Sequence, residues 1–208
     1  RFETATKVSD VIAQFDPDFI LHTGDMVEGT GSQKDQFPYW FQNVGSFLHN
    51  VPVIYNSGNH DYGVYFDEYV TKMQKEQYKS NETGRNVAFD CGPVHFDMLD
   101  SNPWSLFELN STAGGGEADA ATKAVVNESL DWLKADLATD NAKKADFRVV
   151  TMHHPFEDDL TRKYVPSIVE NGNVNIMFSG HTHLYSRSAS ADPKRGADTL
   201  YVTQGDAR

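Results

Sequence analysis

Four short blocks of this sequence carry side chains that can hold a cation or move a proton. They are Gly24-Asp25, Gly58-Asn59-His60-Asp61, His153-His154-Pro155 and Gly180-His181-Thr182-His183. Each stands just after an apolar, often β-branched run: Phe19-Ile20-Leu21, Val51-Pro52-Val53-Ile54, Phe147 to Met152, and Val174 to Phe178. Such runs read as buried strands, so the polar side chains fall on loops at strand ends, where open α/β sheets bind ligands. Carboxylate, amide and imidazole donors converging from four strand ends suit a divalent metal ion. The chemistry expected is metal-dependent hydrolysis.

Taken singly, each block has a plainer explanation. Gly-Asp and Gly-Asn are common turn pairs, and an isolated histidine such as His60 is more often a surface residue. His181 and His183 are two apart, so one tight loop can aim both inward. Pro155 forces His154 into extended backbone. The series of four blocks, each behind an apolar strand, is what points to one shared centre.

The elements that must position these residues are legible in outline. Val8, Val11, Ile12 and Phe15 recur at helical spacing, and Asp16-Pro17 ends that helix before a strand over 19–22. Phe37, Trp40, Phe41, Val44, Phe47 and Leu48 form a second amphipathic helix, followed by the strand Val53 to Tyr55. Residues 62–85 read as irregular and partly helical. Asn86 to Phe89 and Val94 to Leu99, around Cys91-Gly92-Pro93, read as an antiparallel hairpin. A glycine-rich surface loop covers 111–119, and Val126, Leu130, Leu133 and Leu137 make another helix face. A short helix is expected over 160–170, and further strands over 184–189 and 199–203. The fold class is α/β: a four-layer α/β/β/α sandwich with two mixed sheets and the metal site at strand C-terminal loops.

Composition narrows the partners. The 208 residues suit one domain, and 18 basic against 30 acidic residues give a formal net charge of -12. No nucleic acid is expected, because phosphate backbones need a positive surface. The lone Cys91 excludes an internal disulfide and a cysteine zinc site. No apolar stretch reaches the roughly 18 residues of a membrane span. Sequons at Asn81, Asn110 and Asn127 arise readily by chance in a chain this rich in Asn, Ser and Thr.

From Phe19 to His183 the blocks resemble the signature of the calcineurin-like metallophosphoesterase superfamily. His183 to Ser188 and Tyr201 to Asp206 are similar to the purple acid phosphatase branch and its bacterial relatives. That resemblance implies two metal ions, iron, zinc or manganese. Asp25 would bridge them, Asn59, His153 and His181 would complete the ligands of the second, and His183 would bind the first. His60 would touch the phosphate or the leaving oxygen, with its imidazole oriented by Glu28 or Asp61. Glu28 stands where the purple enzymes carry an iron-ligating tyrosine, which argues against a coloured iron-tyrosinate centre. His154, Tyr62 and Tyr185 are expected to wall the substrate pocket, although half-buried packing accounts for the tyrosines equally well.

The resemblance also implies a first strand ending in an aspartate upstream of Asp25, where residues 1–18 read instead as a helix and turn. The expectation is therefore a single domain over 1–208 that lacks its first strand and its C-terminal end. The implied reaction is hydrolysis of a small phosphate monoester by a hydroxide bridging the two ions. A phosphodiesterase for small diesters or nucleotides and a non-catalytic scaffold of the same fold are the alternatives. A single-metal, cupin-like oxygenase would share histidines but not the Gly-Asn-His-Asp block. Export, to the periplasm or the medium, is the expected location.

Overall fold

The apolar runs pair as strands. In the computed structural model, which describes residues 2–28, 34–108, 118–189 and 198–205, β1 (Ile20–His22) pairs in parallel with β2 (Val53–Tyr55), with Leu21 opposite Ile54. The larger sheet has the order β3-β4-β5-β6-β7-β9-β8. Its strands are β3 (Lys79–Ser80), β4 (Val87–Cys91), β5 (Val94–Leu99), β6 (Phe147–Met152), β7 (Ile176–Ser179), β8 (Ser186–Ser188) and β9 (Leu200–Thr203). The centre, β5-β6-β7-β9, is parallel, and β3-β4, β4-β5 and β8-β9 are antiparallel. Mixed pairing thus belongs to the larger sheet. The smaller one, among the described residues, is a single parallel pair.

Three apolar clusters separate four layers. Ile54, Val87 and Met98, with Phe19, Leu21 and Phe89 against them, fill the space between the two sheets. Leu99, Val150, Met152 and Met177 pack on Val126, Leu130, Leu133 and Leu137 of the helix Ala120–Leu137. Phe37 and Trp40 of the helix Gln36–Asn43 close the far side of the small sheet with Val53 and Tyr55. The alternation along β5 produces this division. Met98 faces one layer and Leu99 the other, as a period of two demands.

Boundaries differ from the sequence expectation where local backbone chemistry intervenes. The second amphipathic run is two helices, Gln36–Asn43 and Gly45–Leu48, split at Val44-Gly45. The run over 160–170 is likewise split into Asp159–Tyr164 and Pro166–Asn171, because Pro166 has no N–H to continue the first helix. Residues 62–85 are more ordered than expected: Val64–Phe66, Asp67–Thr71 and Lys72–Gln77 form one helical stretch with a π-helical middle. Cys91 belongs to β4, and the hairpin turns on Gly92, which sits at φ 57°. Most of the glycine-rich loop, 111–117, lies outside the described residues.

Candidate metal centre

The four blocks meet at the C-terminal ends of β1, β2, β6 and β7. The His153 ring is fixed from behind: its Nδ1 donates to the Thr23 carbonyl at 2.7 Å, which turns Nε2 into the site. There Nε2 lies 3.0 Å from Asn59 Oδ1, 3.2 Å from His181 Nδ1 and 3.3 Å from Asp25 Oδ1. Asn59 Oδ1 also lies 3.0 Å from His181 Nδ1. Amide oxygen, carboxylate oxygen and two imidazole nitrogens thus face one another around a common point. This donor set fits a divalent ion, and the carbonyl behind His153 is the usual second contact of a metal-bound imidazole.

Backbone geometry is spent on this convergence. Among the described residues, five non-glycine positions have positive φ, and three are Asp25 (59°), His181 (71°) and His183 (59°). Backbone in this region is costly for side chains and tends to persist at functional sites. Two glycines permit the close approach of the loops. A Cβ on Gly58 would stand 2.2 Å from Asp25 Oδ1, and one on Gly24 would stand 2.6 Å from His153 Nδ1.

Electrostatics follow from the packing. Burial works against ionisation of Asp25, but the hydrogen bond and charge of His153 outweigh it and hold the carboxyl at about 2. Burial lowers His153, but Asp25 more than compensates and its pKa ends raised. Burial and the neighbouring imidazole of His153 lower His181, and His183 is close enough to add to that effect. Burial, with His153 and His181, lowers His154 well below the ordinary range. These neutral imidazoles have lone pairs to give. His22, stacked edge-on against Trp40 beneath the site, is brought by burial to about 4.

A cavity of about 330 Å³ opens over the site, lined by Asp25, Glu28, His60, His153, His181 and His183 among others. Here several sequence-based roles change. Asp61 was expected to orient His60. Instead it is fully buried, and its carboxylate accepts the backbone N–H groups of Asp25 at 2.7 Å, Gly58 at 2.9 Å and Val27 at 3.1 Å. It clamps the β1 and β2 loops together; burial and the Asp25 charge push its carboxyl up to about 6. The ring of His60 is held by Glu28, but through the backbone carbonyl, which accepts from Nδ1 at 2.7 Å, rather than the carboxylate. The backbone N–H of His60 donates to Asp25 Oδ1 at 3.1 Å.

None of the three expected pocket walls lines the cavity. His154 is buried, its Nδ1 is 2.7 Å from the Ser101 hydroxyl, and one of its nitrogens lies within 4.8 Å of ligating atoms of His153 and His181. It is thus a neighbour of the donor cluster, behind the cavity rather than on its wall. Tyr62 lies under the Arg85 guanidinium, whose carbon is 4.0 Å from the ring centroid. Tyr185 is 71% exposed on the surface.

Sequence reasoning also missed Asn56 and Thr151. Thr151 Oγ1 donates to Asn56 Oδ1 at 2.6 Å, and Asn56 Nδ2 donates to the carbonyls of Leu99 and Thr151, both at 3.3 Å. This buried bridge joins the end of β2 to the larger sheet and sets Asn59 opposite His153. The available signal was a polar residue at the end of each apolar run, Asn56 just after β2 and Thr151 next to last in β6.

Comparison with known proteins agrees with this geometry. A family model described as calcineurin-like phosphoesterase matches residues 1–185. Purple acid phosphatase 21 of Arabidopsis thaliana is 26% identical over 223 residues, covering 95% of this chain and 45% of that protein. The chain therefore spans about half the length of the curated relatives it matches. A solved purple acid phosphatase from yellow lupin (Lupinus luteus) seeds superposes with a TM-score of 0.67 at 17% identity, covering 98% of this chain and 39% of that one. A dimetal phosphatase from Danio rerio gives a TM-score of 0.71 at 15% identity, covering 99% and 78%. At these identities the two structures establish the fold.

Proposed function

The chain belongs to the calcineurin-like phosphoesterase family, and from that premise we propose that it hydrolyses small phosphate esters, monoesters in preference to diesters, at a two-metal centre. The observation that carries this reading is the meeting of Asn59 Oδ1, His153 Nε2 and His181 Nδ1 at 3.0 to 3.2 Å, with Asp25 Oδ1 beside them. Asp25, Asn59, His153 and His181 would hold one ion, and Asp25 with His183 would contribute to the other. Iron, zinc and manganese all suit these oxygen and nitrogen donors. When bound, the ions would supply Lewis acidity toward phosphate oxygens and lower the pKa of water. The preference for monoesters draws on the likeness to proteins named as acid phosphatases.

The chain's own residues then have distinct tasks. Asp25, kept ionised by His153, supplies negative charge opposite the imidazoles. The Glu28 carbonyl fixes the proton of His60 on Nδ1, so Nε2 is the atom left to exchange a proton with the ester's leaving oxygen. The Asp61 clamp holds the loops of Asp25 and Asn59 at fixed separation, as preorganised catalysis requires. The test is a metal-reconstituted chain assayed with an aryl phosphate monoester and the matching diester. Faster monoester turnover, lost with a chelator and restored by metal, is expected. Equal or faster diester turnover would replace the monoester reading, and no turnover with either ester would remove the phosphoesterase assignment.

A further inference from the structure

At the other end of the larger sheet lies a second cluster of ligand-type side chains. His95 and Asp97 occupy β5 on the face that carries Leu99 into the helix Ala120–Leu137, and Asp136 comes from the last turn of that helix. Two strand positions that the alternation assigns to the core are therefore polar. All three residues are at most 3% exposed. His95 Nε2 lies 3.0 Å from Asp136 Oδ2 and 3.4 Å from Asp97 Oδ2. One ligand atom from each residue falls within 4.8 Å of the others.

The independent sign of a ligand is Asp97. It is fully buried, yet neither of its carboxylate oxygens has a hydrogen-bond partner, and its ion-pair contact is the long one from His95 Nε2, at 3.4 Å to Oδ2. A dry carboxylate with no hydrogen bond is expensive, and such groups in native folds call for an ion or water. His95 does not satisfy it: a single N–H on Nε2 points at the nearer Asp136. On its other side the ring is set as metal-bound histidines are, with Nδ1 2.7 Å from Asp90 Oδ1 and Asp90 Oδ2 bonded in turn by Asn141 at 2.9 Å.

We propose that His95, Asp97 and Asp136 bind a divalent transition-metal ion of the zinc class, at a structural site separate from the phosphoesterase centre. Charge supports a cation of two units. With an ion in place of the Nε2 proton the imidazole is neutral, and the carboxylates of Asp97 and Asp136 contribute two negative charges, while Asp90 and the Lys79 ammonium, which pairs with the other oxygen of Asp136, offset each other. One imidazole nitrogen, two carboxylate oxygens and a water would give the four donors of tetrahedral zinc, each of a type it accepts. The ion would join the end of the helix Ala120–Leu137 to β5. The competing occupant is a proton on His95: burial works against it, but hydrogen bonds to Asp136, Asp97 and Asp90 outweigh burial and raise the metal-free imidazole to about 10, an imidazolium among the carboxylates.

Zinc binding separates the two. The test uses the whole chain carrying Asn59→Ala and His181→Ala, which disables the other centre and makes the outcome independent of any phosphoesterase activity. After dialysis against zinc, about one equivalent should remain. Its X-ray absorption should show a single imidazole ligand, and zinc at about a hundredfold over its Kd should raise Tm by roughly 5 °C or more relative to chelator. Asp97→Asn, nearly isosteric, should weaken zinc binding at least tenfold. If that variant does not fold, the stoichiometry, ligand count and zinc-dependent Tm of the parent decide the matter. No retained zinc, two or more imidazole ligands, or undiminished affinity in a folded Asp97→Asn protein would overturn the site.

Discussion

The two ends of β6 make opposite use of the same residue types. At its C-terminal end, imidazoles outnumber carboxylates, backbone is held at positive φ, and a cavity exposes the cluster. At its N-terminal end, where Arg148 lies beside His95, carboxylates outnumber the single imidazole, the strand ladder is regular, and the cluster is sealed. The two ends are roughly 17 Å apart, at about 3.3 Å per residue from Arg148 to His153. Excess imidazole with an opening suits exchange of ligands with solvent. Excess buried carboxylate demands permanent neutralisation, which is a structural task. Residue type alone therefore does not define a site; the donor ratio and access to water do.

Substitutions that treat the ends differently would break or sharpen this contrast. The largest effect is expected from His181→Ala, which removes a cavity-side donor. Aryl phosphate turnover should fall at least about 100-fold, roughly 2.7 kcal/mol of barrier, with Tm nearly unchanged. Retained turnover would show that the open end is not the reactive one. Gly58→Ala drives a Cβ into Asp25. It should cost about 1–3 kcal/mol in denaturant unfolding as well as activity, because overpacking displaces the loop.

Arg148→Ala tests the sealed end. Its guanidinium donates to the carbonyls of Asn173, Ala142 and Ala145 at 2.9, 2.9 and 3.1 Å. The variant should lose about 1–2 kcal/mol of stability while kcat/KM stays within twofold. A large loss of turnover would mean that the ends are coupled.

The smallest effect concerns Glu157. Burial pushes its carboxyl up, but the hydroxyls of Ser186 and Thr203 pull it lower, so its folded pKa is depressed. A depressed carboxyl contributes stability above its unfolded value, near 4.5, and loses that contribution as pH falls through the folded value. Glu157→Gln should therefore lower Tm slightly at neutral pH, by less than about 1 kcal/mol equivalent at this exposed position, and the difference should vanish in acid.

Legibility was uneven for physical reasons. The strands that carry Asp25, Asn59, His153 and His181 stood out because their runs are continuous and largely apolar, a signal local to each segment. Helix ends were less clear, since Val44-Gly45 and Val165-Pro166 interrupt apolar patterns that otherwise continue. Asp61 was misjudged because a carboxylate in a Gly-Asn-His-Asp block reads the same whether it meets an imidazole or three backbone N–H groups. His154, Tyr62 and Tyr185 were misplaced for a related reason: the direction of a loop side chain depends on contacts such as Ser101 and Arg85, remote in sequence.

The amino-acid order by itself determined which segments become strands, which side chains stand at their ends, and that these include the donors for a cation. Only the tertiary structure decided that Thr23 aims His153, that Asn56 and Thr151 bind the two sheets together, and that His95, Asp97 and Asp136 meet inside the core. Strand formation depends on neighbours along the chain, whereas the aim of a ring and the company of a buried carboxylate depend on atoms brought together only by folding.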